Sequence, residues 1–421
     1  MSEQIESVQE QLLLKLGDYY VSDFLDANES SEGRQKYSLD LWLDPVTHAP
    51  RLKKGEIAPP ETMWGKYWYR SGTNDTMKKE LRNIVHEVTD RITWDRGDVW
   101  LDIACNDGTL LSNVPDTFKR IGIDPCDDSF AKESRQHGTI VQDYFSKGAY
   151  TSAFVGDYKQ AKVITCIAMF YDLDDPNPFI QDLYDVLDDN GVLVLQMSYT
   201  PLMVNQMAFD NICHEHVYYY SLTSLAYLFM QHGFITVDCQ LNDTNGGSMR
   251  VYLVKKTADP KKFGTDQLKS VCMYRTQSIM AQEREVDVSS PELWDIFGAR
   301  LEKLKMDVTH FITTARSEGK TVYGYGASTK GNTLLQYFGL TNEDIVAIAE
   351  RSEYKWGKKT IGSEIPICSE QQMRDAQPDY LVVLPWHFVD EFVKREREYL
   401  EKGGTIVVPC PQFKLITKDD L

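Results

Sequence analysis

Seven short apolar runs separated by helical segments restrict this chain more than any other feature. They fall at 99–105, 120–124, 139–141, 162–170, 191–197, 234–241 and 250–255. Strands alternating with helices form a mostly parallel sheet covered on both faces, so the pattern predicts an α/β unit. The last two runs are joined by Asn245-Gly246-Gly247-Ser248, which suits a reversed strand at the sheet edge. The alternation restarts at 321–326, 345–349, 380–384 and 405–409. Four divisions follow: an irregular N-terminal domain at 1–80, an α/β domain at 81–260, a helical linker at 261–318, and a second, smaller α/β domain at 319–421. Pro45, Pro50, Pro59 and Pro60 break any long element in the first part. A helix is predicted over 76–91, with Met77, Leu81, Ile84, Val85 and Val88 on one face.

The chain has 421 residues, beyond the size at which single cores usually divide. Its formal charge of -18 argues against nonspecific binding to nucleic acid or to anionic membranes, which need basic surface. A local basic pocket for an anionic small molecule remains compatible with it. The eight cysteines are scattered and form no CxxC pair, as expected for reduced thiols in a cytosolic protein. The first ten residues are polar and acidic, no signal-peptide pattern is present, and no apolar run is long enough to span a bilayer. The expected location is the cytoplasm.

The first strand of the α/β unit runs into Asp102-Ile103-Ala104-Cys105-Asn106-Asp107-Gly108-Thr109-Leu110. A strand entering a small-residue turn and then a helix places a ligand at the carboxyl end of the sheet. The turn lacks GxGxxG, which fits a cofactor without a pyrophosphate. The second strand ends at Asp124, placed to bind both ribose hydroxyls of a nucleoside. The third ends at Asp143-Tyr144-Phe145, where a polar and an aromatic residue bracket an adenine. The expected cofactor contacts are Asp102, Ala104, Asn106, Asp107, Gly108, Leu110, Asp124, Asp143, Tyr144 and Phe145.

The segment after the fifth strand carries Phe209-Asp210-Asn211-Ile212-Cys213-His214-Glu215-His216-Val217-Tyr218-Tyr219-Tyr220-Ser221. Histidine is the natural general base near neutral pH, and an adjacent carboxylate raises its basicity. Core packing of the tyrosines and a metal pair at His214 and His216 are the competing roles. A metal site needs at least three ligands, so none is expected. In an extended segment His214 and His216 share a face and Glu215 points away. Tyr67-Trp68-Tyr69-Arg70 upstream reads as a packing patch or as a lid carrying a phenol. Gly324-Tyr325-Gly326-Ala327-Ser328-Thr329-Lys330-Gly331-Asn332 follows a strand and enters a helix, where backbone N–H groups and Lys330 suit a diphosphate.

The turn at 102–111, the His-Glu-His segment, Gly246-Gly247-Ser248-Met249-Arg250 and the run at 323–332 together resemble the sugar C-methyltransferases. The resemblance covers about residues 35–412. It implies a small N-terminal domain acting as a substrate lid, a class I S-adenosylmethionine-binding methyltransferase domain and a Rossmann-like C-terminal domain. It also implies methylation of a nucleotide-linked 4-keto deoxysugar, typically at C3. On this resemblance His216 is the general base, Glu215 its partner with His214 beside it, and Tyr69 or Tyr67 the phenol over the sugar. The expected acceptor contacts are Tyr67, Asn245, Gly247, Ser248, Arg250, Lys330 and Asn332. Two departures matter. The family's N-terminal zinc cysteines are absent, with Leu41-Trp42-Leu43-Asp44-Pro45 where the first pair would stand, so aromatic packing must hold that domain. Cys213 replaces a tyrosine found in some members, and Ile167–Asp172 resembles a zinc-free branch. The alternatives are an O- or N-methyltransferase, an NAD-dependent oxidoreductase, and a non-catalytic nucleotide-sugar binder. Glu350, after the strand at 345–349, would be the ribose partner in an NAD site.

Overall fold

The computed structural model describes residues 10–64, 69–73 and 75–421. Tyr67 lies outside them, and so does the side chain of Asn245.

The seven apolar runs become one sheet, in the order Phe234–Asn242, Ser248–Lys255, Leu187–Ser198, Ala161–Ile167, Val99–Ile103, Lys119–Ile123 and Thr139–Val141. Strand Ser248–Lys255 runs antiparallel to both of its neighbours. The reversed strand therefore lies one place in from the edge, and Phe234–Asn242 takes the edge itself. Burial explains the exchange. Every residue of Ser248–Lys255 is buried, whereas Phe234–Asn242 exposes Ile235 and Leu241.

Helix Asp75–Thr89 covers one face of the sheet. Its Met77, Leu81, Ile84, Val85 and Val88 pack on Trp100, Val163 and Val194. Each such burial is worth about 1.5–3 kcal/mol before chain entropy is subtracted. The expected boundary at 80 falls within this helix. Helices Pro176–Val186 and Leu222–Gln231 cover the other face, with Ile180, Leu183, Leu225 and Phe229 against Ile164, Leu193 and Leu195.

A six-stranded sheet follows in the order Ile367–Ser369, Ile348–Glu350, Val322–Tyr325, Tyr380–Val383, Thr405–Val408 and Lys414–Ile416. The first five are parallel and the last is antiparallel. Its two outer strands have three residues each and carry polar side chains, so hydrophobic periodicity did not reveal them.

Two expectations are corrected. Residues 10–64 are not irregular. Gln11–Leu14, Leu41–Leu43 and Pro50–Leu52 form an antiparallel sheet, and its core partners are mainly leucines rather than aromatics. The turn after Leu43 is held by Asp44, whose Oδ1 accepts from Val46 N, Thr47 N and Thr47 Oγ1. The helical stretch is also no mere linker. Trp294, Phe297, Leu301, Leu304, Val308 and Ile312 of helix Pro291–Ser317 join Leu13, Leu14 and Leu41 to Val322 and Tyr325 in one core. Helix Asp266–Glu283 is tied to the edge strand by ions: Arg91 and Arg275 share the fully buried Asp238. Among the described residues no helix is long and apolar enough to cross a membrane.

Asp238→Ala strands two guanidinium groups, one of them buried, and is expected to cost about 3–5 kcal/mol. Chemical denaturation measures this; a midpoint equal to wild type contradicts the role given to this carboxylate.

Candidate active site

Strand Val99–Ile103 pairs in parallel with Lys119–Ile123 on one side and Ala161–Ile167 on the other. The chain leaves it toward one neighbour and returns later to the other, so a crevice opens at its carboxyl end. The turn beyond it is bent tightly: Ala104 and Asn106 take left-handed φ angles of 57° and 51°. Such conformations cost of order 1–3 kcal/mol each and persist only when bonded in place. Ala104 N donates to Ile123 O at 2.8 Å, and Asn106 N donates to Asp124 Oδ2 at 2.7 Å. Gly108 has φ 80°, and a Cβ there would lie 2.7 Å from Ser134 Cα. Its glycine serves close packing on helix Asp128–Ser134, not ligand approach.

The crevice is a cavity of about 540 Å³. Asp102, Ala104, Asn106, Leu110, Asp124, Tyr144 and Phe145 line it, as does Tyr69. Asp107 and Asp143 do not. Asp107 accepts from Gly72 N at 2.7 Å and from Thr109 N and Oγ1, while exposed Asp143 accepts from Tyr144 N. Asn106 faces the cavity, yet its amide is also occupied: Nδ2 donates to Tyr69 O at 3.0 Å, and Oδ1 accepts from Ser71 N at 3.1 Å. The turn thus clamps residues 69–72 over the crevice, and the Tyr69 phenol is pushed up to about 12 by burial and by Asp107.

Four aspartates line this cavity, Asp102, Asp124, Asp172 and Asp174, and no basic side chain does among the described residues. Asp102 is buried, accepts from Thr165 Oγ1 at 2.7 Å and is pushed up to about 7 by burial, with Asp124 adding to the shift. Asp124 receives Asn106 N and Cys126 N, one on each oxygen. A site of this charge suits a nucleoside carrying positive charge and repels a diphosphate. S-adenosylmethionine fits it: Asp124 would take the ribose, Tyr144 and Phe145 would flank the base, and Asp102 would meet the cationic end.

The His-Glu-His segment is not extended. It folds into a turn in which His216 N donates to Cys213 O, so His214 and His216 diverge. His214 is buried and donates from Nε2 to Tyr37 O at 3.0 Å; burial holds it down at about 4. It anchors the N-terminal domain. His216 Nδ1 lies 2.8 Å from Asn211 O. A carbonyl only accepts, so Nδ1 carries the hydrogen and Nε2 keeps its lone pair. Burial, with the nearby Lys330 charge, lowers His216 to about 3. The expected rise in basicity beside Glu215 is therefore not found. Glu215 itself is raised by burial, its Oε2 has no partner among the described residues, and Asn211 orients the imidazole instead. None of these three residues lines the cavity, although Val217 and Asp172 beside them do.

Several expected acceptor contacts are taken up by the fold. Arg250 is buried, bonded to Gln196 Oε1 at 2.8 Å and to Glu80 Oε1 at 2.5 Å. Asn332 donates to Ser22 Oγ and Asp23 O, fastening the N-terminal segment to the second sheet. Ser248 Oγ donates to Thr244 O, and Gly247, with φ 113°, has no room for a Cβ beside Leu202. Lys330 does approach the segment at 209–221: its Nζ donates to Asn211 Oδ1 at 2.5 Å. Trp386 Nε1 donates to buried Asp210 at 3.0 Å, and His387 stands near Lys330, held by burial and by that charge at about 3.

The glycine-rich turn of the second sheet does not fit a dinucleotide. A Cβ on Gly326 would lie 2.6 Å from Pro385 Cγ, and Lys355 Nζ donates to Ala327 O while covering the Phe24 ring. The chain's own residues fill the approach a pyrophosphate needs. Glu350 Oε1 accepts from Arg351 N and Ser352 N, capping its own turn.

Residues 74–238 match the family described as methyltransferase domain, and residues 243–411 match the C-methyltransferase C-terminal domain. The C-methyltransferase NovU of Streptomyces niveus is 26% identical over 414 residues, 94% of this chain and 92% of that protein. Among solved structures, magnesium protoporphyrin IX methyltransferase (ChlM) from Synechocystis PCC 6803 with bound SAH aligns at a TM-score of 0.34 with 13% identity, over 46% of this chain and 90% of that one. The N-methyltransferase NodS of Bradyrhizobium japonicum WM9 aligns at 0.31 with 12% identity, over 43% and 94%. The chain is an S-adenosylmethionine-dependent methyltransferase with a class I, Rossmann-like α/β fold. Its residues 243–411 liken it further to methyltransferases that act on carbon.

Asp102 yields a pH prediction. Its folded pKa stands near 7, so a cationic ligand that favours the ionised carboxylate releases a proton on binding below that pH. Affinity for S-adenosylmethionine, measured by calorimetry, is expected to rise between pH 6 and pH 8, and Asp102→Asn is expected to flatten the rise.

Proposed function

We propose that this methyltransferase is a C-methyltransferase that acts on a carbon beside a ketone in a nucleotide-linked deoxysugar, with His216 as general base. The observation that carries the reading is the imidazole: Nδ1–H is fixed on Asn211 O, so a neutral Nε2 is left to take a proton. The NovU likeness over nearly the full chain supports a carbon acceptor.

S-adenosylmethionine, when bound, supplies a sulfonium-borne methyl group to a nucleophile. The protein's own part is to make that nucleophile. A ketone acidifies the adjacent C–H; Nε2 of His216 accepts that proton, and the Tyr69 phenol donates to the oxygen that gains charge. Asp102, Asp124, Tyr144 and Phe145 hold the cofactor, and the clamp keeps residues 69–72 over the crevice. Lys330, whose Nζ donates to Asn211 Oδ1, lies near His216 and is our candidate for the acceptor's diphosphate. Asp107, Gly108, Asp143, His214, Arg250 and Asn332 keep structural roles in this reading.

His216→Asn is expected to lower turnover of a thymidine diphosphate-linked 4-keto-6-deoxysugar by about 100-fold or more while S-adenosylhomocysteine affinity stays at the wild-type value. Equal turnover in the variant removes His216 from the mechanism. The pH profile provides a second check. His216 is lowered from 6.5 to about 3, so its basic form persists through pH 5, and kcat/KM should show no acid limb near 6.5. Calorimetric titration of thymidine diphosphate into the protein loaded with S-adenosylhomocysteine tests the acceptor class: heat of binding supports a nucleotide-linked sugar, and no binding opens the acceptor to other ketones.

A further inference from the structure

Of the four aspartates on the cavity wall, three have partners: Asp102 bonds Thr165, Asp124 bonds two backbone amides, and Asp174 pairs with Arg51 at 2.6 Å. Asp172 is different. It ends the helical turn Phe170–Asp172 that follows strand Ala161–Ile167, and it faces the cofactor cavity. The preceding Tyr171 accepts Val217 N and Tyr218 N on its carbonyl, both at 2.9 Å, so the catalytic segment lies directly against it. The Tyr171 and His216 rings meet at 4.2 Å. Within this seam Asp172 Oδ1 and Glu215 Oε2 are both buried, and neither has a hydrogen-bond partner among the described residues.

Glu215 is the charged group felt at Asp172, and Asp172 is felt in turn at Cys166, Cys213 and Tyr219, none of them cationic. The Lys330 charge falls instead on Asp210, Cys213 and His216. Two carboxyl oxygens buried in one seam without a hydrogen-bond donor or a cation do not favour two ionised groups, so the seam keeps a proton at neutral pH. Burial and Glu215 drive Asp172 well upward, whereas a backbone N–H and Cys213 restrain Glu215. The proton therefore resides on Asp172, the member that faces the cavity.

We propose that Asp172 is a catalytic residue, whose protonated carboxyl group donates a hydrogen bond to the acceptor's ketone oxygen. This rests on the C-methylation reading above. As the C–H bond adjacent to the ketone breaks, its proton passes to Nε2 of His216 and its electron pair moves onto the ketone oxygen. Asp172 meets that oxygen with its O–H and retains the proton, and Tyr69 is a second donor to the same oxygen. Sequence reading passed over Asp172 because an aspartate after a strand is an ordinary turn residue. Only its placement beside Glu215 distinguishes it.

The full-length protein with Asp172→Asn and Asp172→Ala tests this. The wild-type minus Asp172→Asn infrared difference spectrum at pH 7 should contain the carbonyl stretch of a protonated carboxylic acid; its absence overturns the proton assigned to Asp172, and it needs no acceptor. With the thymidine diphosphate-linked 4-keto-6-deoxysugar, Asp172→Ala should lose about 100-fold or more in kcat with KM little changed. Asp172→Asn, which keeps a donor, should stay within about tenfold of wild type. Both variants should bind S-adenosylhomocysteine as wild type does, which separates lost chemistry from lost fold. Wild-type kcat in Asp172→Ala overturns the proposal. If the wild-type enzyme leaves that sugar unmethylated, the sugar reading falls, and the infrared comparison still decides whether Asp172 carries the proton.

Discussion

The hydrogen bond from Asn106 N to Asp124 Oδ2 closes the turn on which this molecule depends. It holds a left-handed asparagine at the end of the central strand and fixes the carboxylate of the neighbouring strand at the same time. The turn's own side chains then reach outward. Asn106 and Asp107 take the backbone of Tyr69, Ser71 and Gly72, so the crevice floor and part of its cover come from one stretch of six or so residues. A glycine-rich turn shaped around phosphates offers no side chains for such a clamp. The absence of GxGxxG is thus both a statement about the cofactor and a means of closing the site.

The second organising element is the segment at 209–221, which touches every other part of the chain. Arg51 forms a bridge to Tyr218, His214 bonds Tyr37, Asp210 bonds Trp386, and Asn211 bonds Lys330. Charge is partitioned across it. On the cavity side the wall is acidic and without a basic group among the described residues; on the far side Lys330 lies close enough to depress both His216 and His387. An imidazole between these two surroundings stays neutral, which a proton acceptor requires. Its orientation comes from a backbone carbonyl, so it does not depend on the ionisation of a neighbouring acid.

The two Rossmann-like sheets illustrate how like architectures diverge. In the first, the crevice at the strand ends is open and lined by acids. In the second, Pro385 abuts Gly326 while Phe24 and Lys355 cover the turn, and the N-terminal segment is pinned there through Asn332 and Gln336. Its glycines permit close packing of protein on protein. Its contribution to the site is Lys330 and the Trp386–His387 turn, delivered across an interface.

Local pattern alone specified the two α/β units, the helix over residues 75–89 and the turn after Val99–Ile103, because buried strands and amphipathic helices write their periods directly into the chain. It also put forward Asp102, Asp124, Tyr144 and Phe145, which line the cavity, while His216 came from the family resemblance and does not line it. What the sequence could not decide was which way side chains face. His214, Arg250 and Asn332 carry suitable chemistry, yet each is consumed by a partner far away in the chain: Tyr37, Glu80 and Ser22. Short strands such as Ile367–Ser369 and Leu41–Leu43 exist only because neighbours pair with them. The same holds for Asp172, ordinary by sequence and exceptional by company. Hydrophobic period is a local property of the chain, whereas the ionisation and availability of a polar group depend on what the tertiary fold places beside it.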